Sequence, residues 1–150
     1  MATFTKIPDF VEDVAEGVHN FATDSLRIAL SNTAPSSETN NPLTSGNGVL
    51  ANVTQISYAN YTDSLTSDRT LEGVTSNESG GVYTLDADNF SITASGGAIA
   101  DFRYIYLYND TPVSPADPLI CVWDNGSPIS ISDGSTRNIN FNASGILTIS

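Results

Sequence analysis

Asp101-Phe-Arg-Tyr-Ile-Tyr-Leu-Tyr-Asn-Asp-Thr111 is the stretch that decides the fold. Extended, it puts Phe102, Tyr104, Tyr106 and Tyr108 on one face and Arg103, Ile105 and Leu107 on the other, because successive side chains of a strand point to opposite sides. Both faces are bulky and largely apolar. The pattern predicts a central strand covered on both sides, as in a sandwich or barrel.

Upstream, Gly96-Gly97 permits a sharp reversal into this strand. Before it, Thr70 to Thr75, Gly81 to Leu85 and Asn89 to Ala94 read as short strands. Asn77 to Gly81 and Asp86 to Asp88 are the expected connections. Downstream, Leu119 to Asp124, Ser127 to Ser132 and Ser135 to Asn142 are separated by Asn125-Gly126 and Asp133-Gly134. Those dipeptides supply the positive φ angles of type I′ hairpin turns, so a meander is predicted. Pro128 marks an edge or a bulge, and Ile146 to Ser150 makes a last strand after Gly145.

Nearer the start, Ser25 to Ser31 alternates with Leu26, Ile28 and Leu30 inward, as a half-buried strand does. Val49 to Thr62 regains β character through Val53, Ile56, Tyr58 and Tyr61. Between them, Asn32 to Gly48 is a polar loop whose length points to a functional or interface role. The one helical period is Ile7, Phe10, Val11, Val14 and Val18, with Pro8 in the first turn and Gly17 ending it. Asp9, Glu12 and Asp13 sit where the helix dipole favours negative charge. The expected organisation is an N-terminal arm and short helix over residues 1–24, then a single β-sandwich domain over residues 25–150. About nine short strands make the fold class mainly β: a jelly-roll-like antiparallel β-sandwich with a short N-terminal helix.

The 150 residues suffice for one domain with a real core. Charged residues are only 15%, and Ser, Thr and Asn, about a third of the chain, supply most of the polar surface. With 17 acidic and 5 basic residues the net charge is −12. That excludes nucleic acid, which is bound through Lys and Arg on phosphates, and disfavours anionic membranes. No segment approaches the roughly 20 apolar residues of a membrane span, and no basic stretch followed by an apolar run marks a secretory signal. Several Asn-x-Ser/Thr sequons, such as those at Asn52 and Asn142, are expected by chance in so much Asn, Ser and Thr.

Catalytic chemistry finds little footing. His19 is the only histidine and Cys121 the only cysteine, so His/Cys zinc clusters are excluded within one chain. His19 reads as a cap or surface residue, and Cys121, in Leu-Ile-Cys-Val-Trp, as a small buried hydrophobe. Asp86 and Asp88 pair by proximity, but lack calcium-loop spacing and read as a solvated turn. A glycosidase needs two carboxyls facing across a cleft, and 17 acids place close pairs by chance. Gly46-Asn-Gly48 reads as a turn. Tyr104, Tyr106, Tyr108 and Trp123 could stack on sugars if exposed, although such a row is more often core. No enzyme, cofactor or metal is indicated.

Three stretches resemble small structural proteins of tailed bacteriophages. They are Phe10 to Phe21 with Asp24 to Pro35, Phe102 to Thr111, and Leu119 to Ile149, which opens Leu-Ile-Cys-Val-Trp-Asp-Asn-Gly126 and closes Gly145-Ile-Leu-Thr-Ile149. Tyr58-Ala-Asn-Tyr61 departs from the Gly-Asn-Gly-Tyr turn expected there. The resemblance implies a capsid decoration or cement protein, made in the host cytoplasm and placed on the outer surface of the virion. Its implied partners are the major capsid protein and further copies of itself, as a dimer or trimer. Candidate interface residues are Phe4, Ile7, Phe10 and Val11, together with the Asn32 to Gly48 loop. A tail or fibre module binding a host receptor or glycan is the alternative.

Overall fold

The face of the deciding stretch that carries Phe102, Tyr104, Tyr106 and Tyr108 is buried. On the other, expected to be covered as well, Leu107 is buried but Arg103 and Ile105 stay half-exposed. The computed structural model describes residues 2–150 and is mainly β, with antiparallel sheets and one short helix. In chain order the elements are β1 (Thr3–Lys6), α1 (Asp9–Ala15), β2 (Leu26–Ser31), β3 (Tyr61–Asp63), β4 (Thr75–Ser79) and β5 (Val82–Asp86). They continue with β6 (Phe90–Ala94), β7 (Ile99–Asn109), β8 (Leu119–Ile131), β9 (Thr136–Ile139) and β10 (Leu147–Ile149). The sheets run β1-β8-β7-β2, β10-β5-β4 and β3-β6-β9.

Strand β7 lies between β2 and β8, pairing Leu26 to Asn109 through Ser31 to Tyr104 on one side and Ile105 to Trp123 on the other. Phe102, Tyr106 and Leu107 have no exposed surface, and Tyr104 and Tyr108 almost none. Each such side chain contributes about 1.5–3 kcal/mol through burial, which makes β7 the centre of the one hydrophobic core. Cys121 is fully buried in that core, and burial pushes its thiol well above the usual range.

The outer edge of β2 is closed by its own chain. Ile28 N–H donates to the Arg69 carbonyl at 3.0 Å, Ile56 N–H to Leu30 O at 3.0 Å, and Leu30 N–H to the Tyr58 hydroxyl at 2.9 Å. Ala29 and Ser31 are therefore buried along with Leu26, Ile28 and Leu30, where half-burial was expected. Of Val49 to Thr62, only the end joins a strand, β3; Thr54, Ile56 and Tyr58 bond to β2, while Leu50 N–H donates to the Asp117 carbonyl.

Four expectations are corrected. First, residues 1–24 are not an arm ahead of the domain. β1 pairs with β8 from Thr3 opposite Asp124 to Lys6 opposite Cys121, and Ile7 and Phe10 enter the core. Second, the expected strand at Thr70 to Thr75 is displaced: β4 begins at Thr75, pairs with β5, and the turn is Gly80-Gly81. Third, Asn125-Gly126 is not a hairpin turn, because β8 runs straight through it as one 13-residue strand. Between the pairs Tyr104–Asp124 and Phe102–Ile129 the ladder shifts register, so the positive φ of 84° at Gly126 serves a bulge. Pro128 lies within that bulge, as expected. Fourth, the meander fails: after Asp133-Gly134, β9 pairs with β6 and not with β8.

Candidate functional site

Of the four candidate interface residues, Ile7 and Phe10 are 0% and 2% exposed. They are covered by the chain's own core, Ile7 where the chain leaves β1 with its N–H bonded to Ile120 O and Phe10 on the inward side of α1, and so offer no surface to a partner. Phe4 and Val11 are 40% and 53% exposed. Val11 lies on the solvent side of α1, contrary to the helical stripe drawn from sequence; Asp13 takes up buried space instead. Phe4 lies opposite Trp123 in the sheet, the rings edge to face at 5.8 Å.

The long loop is tied to the same segment. The Asp9 carboxylate accepts the Gly46 N–H at 2.8 and 3.0 Å and the Gly48 N–H at 2.8 Å. Gly48 must be glycine: a Cβ there would stand 2.8 Å from Ile7 Cγ2. The Gly46-Asn-Gly48 turn is thus a clamp on the start of the helix.

Phe4, Trp123 and Ile105 form a row across β1, β8 and β7, and this row floors an open groove. One cleft of about 390 Å³ is lined by Trp123, Ile105, Phe141 and Arg103, with Arg137 and Asn138 on its wall. An adjoining cleft of about 770 Å³ shares Trp123 and Phe141 and runs past Phe4 and Lys6 to Ile146 and Leu147. The Trp123 and Phe141 rings are 5.7 Å apart. Arg103 grips Asp124 through two bonds of 2.6 and 2.9 Å, and that hydrogen bonding holds the Asp124 carboxyl below its usual range. The expected aromatic row of tyrosines is core, while Trp123 is half-buried at the groove.

His19 is neither cap nor surface. Its side chain has no exposed area, its ring stacks on Phe21 at 5.2 Å, and Asn109 Nδ2 lies 3.1 Å from Nδ1. The same Asn109 amide donates to Asp24 at 2.6 Å, so Nδ1 accepts and Nε2 carries the proton, 4.0 Å from Asp13. Burial holds the imidazole down, to about 4, and holds the Asp13 carboxyl up. This is a structural network: it leaves His19 neutral and enclosed. Among the described residues, no group of three or more His, Cys, Asp or Glu side chains could hold a metal.

No family model, curated protein or solved structure matches the chain.

Proposed function

We propose that the chain is a non-enzymatic structural protein of a tailed-bacteriophage virion, a jelly-roll-like sandwich that decorates the head and bridges neighbouring capsid subunits. The observation that carries this reading is β1. All four of its residues are exposed, and it pairs with β8 alone. A free edge strand offers unpaired main-chain groups to another chain, whereas the opposite edge of the sheet is sealed. The resemblance in the three quoted stretches supplies the setting. A net charge of −12 favours the outer face of a shell, away from packaged DNA. Binding only the assembled shell would stabilise it by mass action, and symmetric capsid sites suit a dimer or trimer.

The decisive measurement is the copy number per purified virion, by quantitative mass spectrometry against the major capsid protein. Near-stoichiometric copies support cementing; a handful of copies excludes it. Removal of residues 1–5 tests the edge directly, since it deletes most of β1 and spares Ile7 and Phe10. The expected product is folded and binds shells weakly; normal binding would remove β1 from the interface. The second reading, a tail or fibre module that binds a host glycan, is favoured by the Trp123–Phe141 groove.

A further inference from the structure

The groove has a charge opposite to that of the molecule. Three of the chain's 5 cationic residues, Lys6, Arg103 and Arg137, line its two clefts. Among the described residues no acidic side chain lines either one, although the chain carries 17 acids. Arg27 and Arg69 are paired with Asp110 and Asp68, and Arg103 with Asp124. Among the described residues, Lys6 and Arg137 enter no ion pair. Counting Asp124 beside Arg103, the groove still has an excess of positive charge in a strongly acidic protein.

We infer that this groove binds an anionic saccharide, a sugar chain bearing carboxylate, sulfate or phosphate groups. The apolar face of a pyranose ring stacks on aromatic side chains, and Trp123 with Phe141 presents such a surface. Asn138 and Asn140 bring exposed side-chain amides to the same wall, each with a donor and an acceptor for neighbouring hydroxyls. Arg137 and Lys6 then meet the anionic groups, the guanidinium in a two-pronged geometry. An acidic peptide would share the charge. However, a peptide added to a sheet is held by a main-chain ladder, and the recognition groups here are side chains standing on sheet faces. Such a site supplies the ligand for the glycan-binding reading and rests on that reading only for the sugar's biological source.

Trp123 is the only tryptophan, so its fluorescence reports occupancy of the groove directly. The full chain is titrated with sialyllactose, trigalacturonate and a heparin tetrasaccharide, with maltotriose as the neutral sugar and polyglutamate as the acidic peptide. The expected result is a saturable change with at least one charged sugar. Maltotriose should bind about tenfold more weakly, as should the charged sugar to Arg137→Gln or Lys6→Gln, the loss of one charged hydrogen bond. Both substituted positions are exposed, so these variants keep the fold. No response to any charged sugar, equal binding of maltotriose, unchanged affinity in both variants, or tighter binding of polyglutamate would each overturn the assignment. Because binding is read on the isolated chain, such a failure leaves the place in the virion to be decided by copy number.

Discussion

Two buried or half-buried polar residues near the N-terminus decide how the first turn of chain is held. Asp9 binds the Gly46 and Gly48 amides and so ties the long loop to α1. Asp9→Ala leaves those N–H groups without their acceptor. It should cost about 1–3 kcal/mol, read as a lower urea midpoint with an unchanged slope; an unchanged midpoint would mean that water replaces the carboxylate freely. His19 gives a pH signature. Its imidazole falls from 6.5 to about 4 on folding, so between those values the unfolded chain binds a proton that the fold refuses. Stability therefore declines as pH falls through that window and levels off below about 4. Asp13 has the opposite sign. Its raised carboxyl binds protons more tightly in the fold and offsets part of the loss at the acid end. In His19→Gln the decline between about pH 6.5 and pH 4.5 should be smaller than in the parent. Equal declines in the two proteins would assign the acid sensitivity to other groups.

At the scale of elements, the Asn125-Gly126 bulge is the feature most open to test. Gly126 holds φ at 84°, and its N–H donates to Asp124 Oδ1 at 2.7 Å, beside the grip of Arg103. A β-branched residue is strained there, so Gly126→Val should cost about 1–2 kcal/mol, measured by urea unfolding. A neutral effect would show that the ladder re-forms without the bulge. The same dipeptide marks what the sequence could and could not yield. β7 and β2 were legible because large apolar side chains recur at every second position, Phe102 to Tyr108 in one and Leu26 to Leu30 in the other. Asn-Gly specifies a positive φ and nothing about where the partner strand lies, so it fits a hairpin turn and a bulge equally well. β1 and β4, with Thr-Phe-Thr-Lys and Thr-Ser-Asn-Glu-Ser, carry almost no inward face; they are strands because β8 and β5 pair with them. His19 was misread because its burial depends on Phe10, Phe21 and Asn109, the last of them 90 residues away. The groove was invisible for the same reason: Phe4, Trp123 and Phe141 meet only once β1, β8 and the chain after β9 are assembled.

For the whole molecule, charge acts in two opposite ways that one variable separates. A net charge of −12 on a 150-residue chain repels itself, and the compact state concentrates that repulsion. Added salt shortens the screening length from about 30 Å at 0.01 M to about 10 Å at 0.1 M, so it relieves the folded chain more than the expanded one. Thermal unfolding should move upward by a few degrees across that range. In the groove the sign reverses, because Lys6 and Arg137 attract an anion that the same ions screen. Saccharide affinity should fall as the melting temperature rises. Opposite slopes for the two quantities, measured in the same buffers, separate a local positive site from the acidic field around it. If the melting temperature instead falls with salt, attraction among the ion pairs at Arg27, Arg69 and Arg103 outweighs the repulsion of the excess acids.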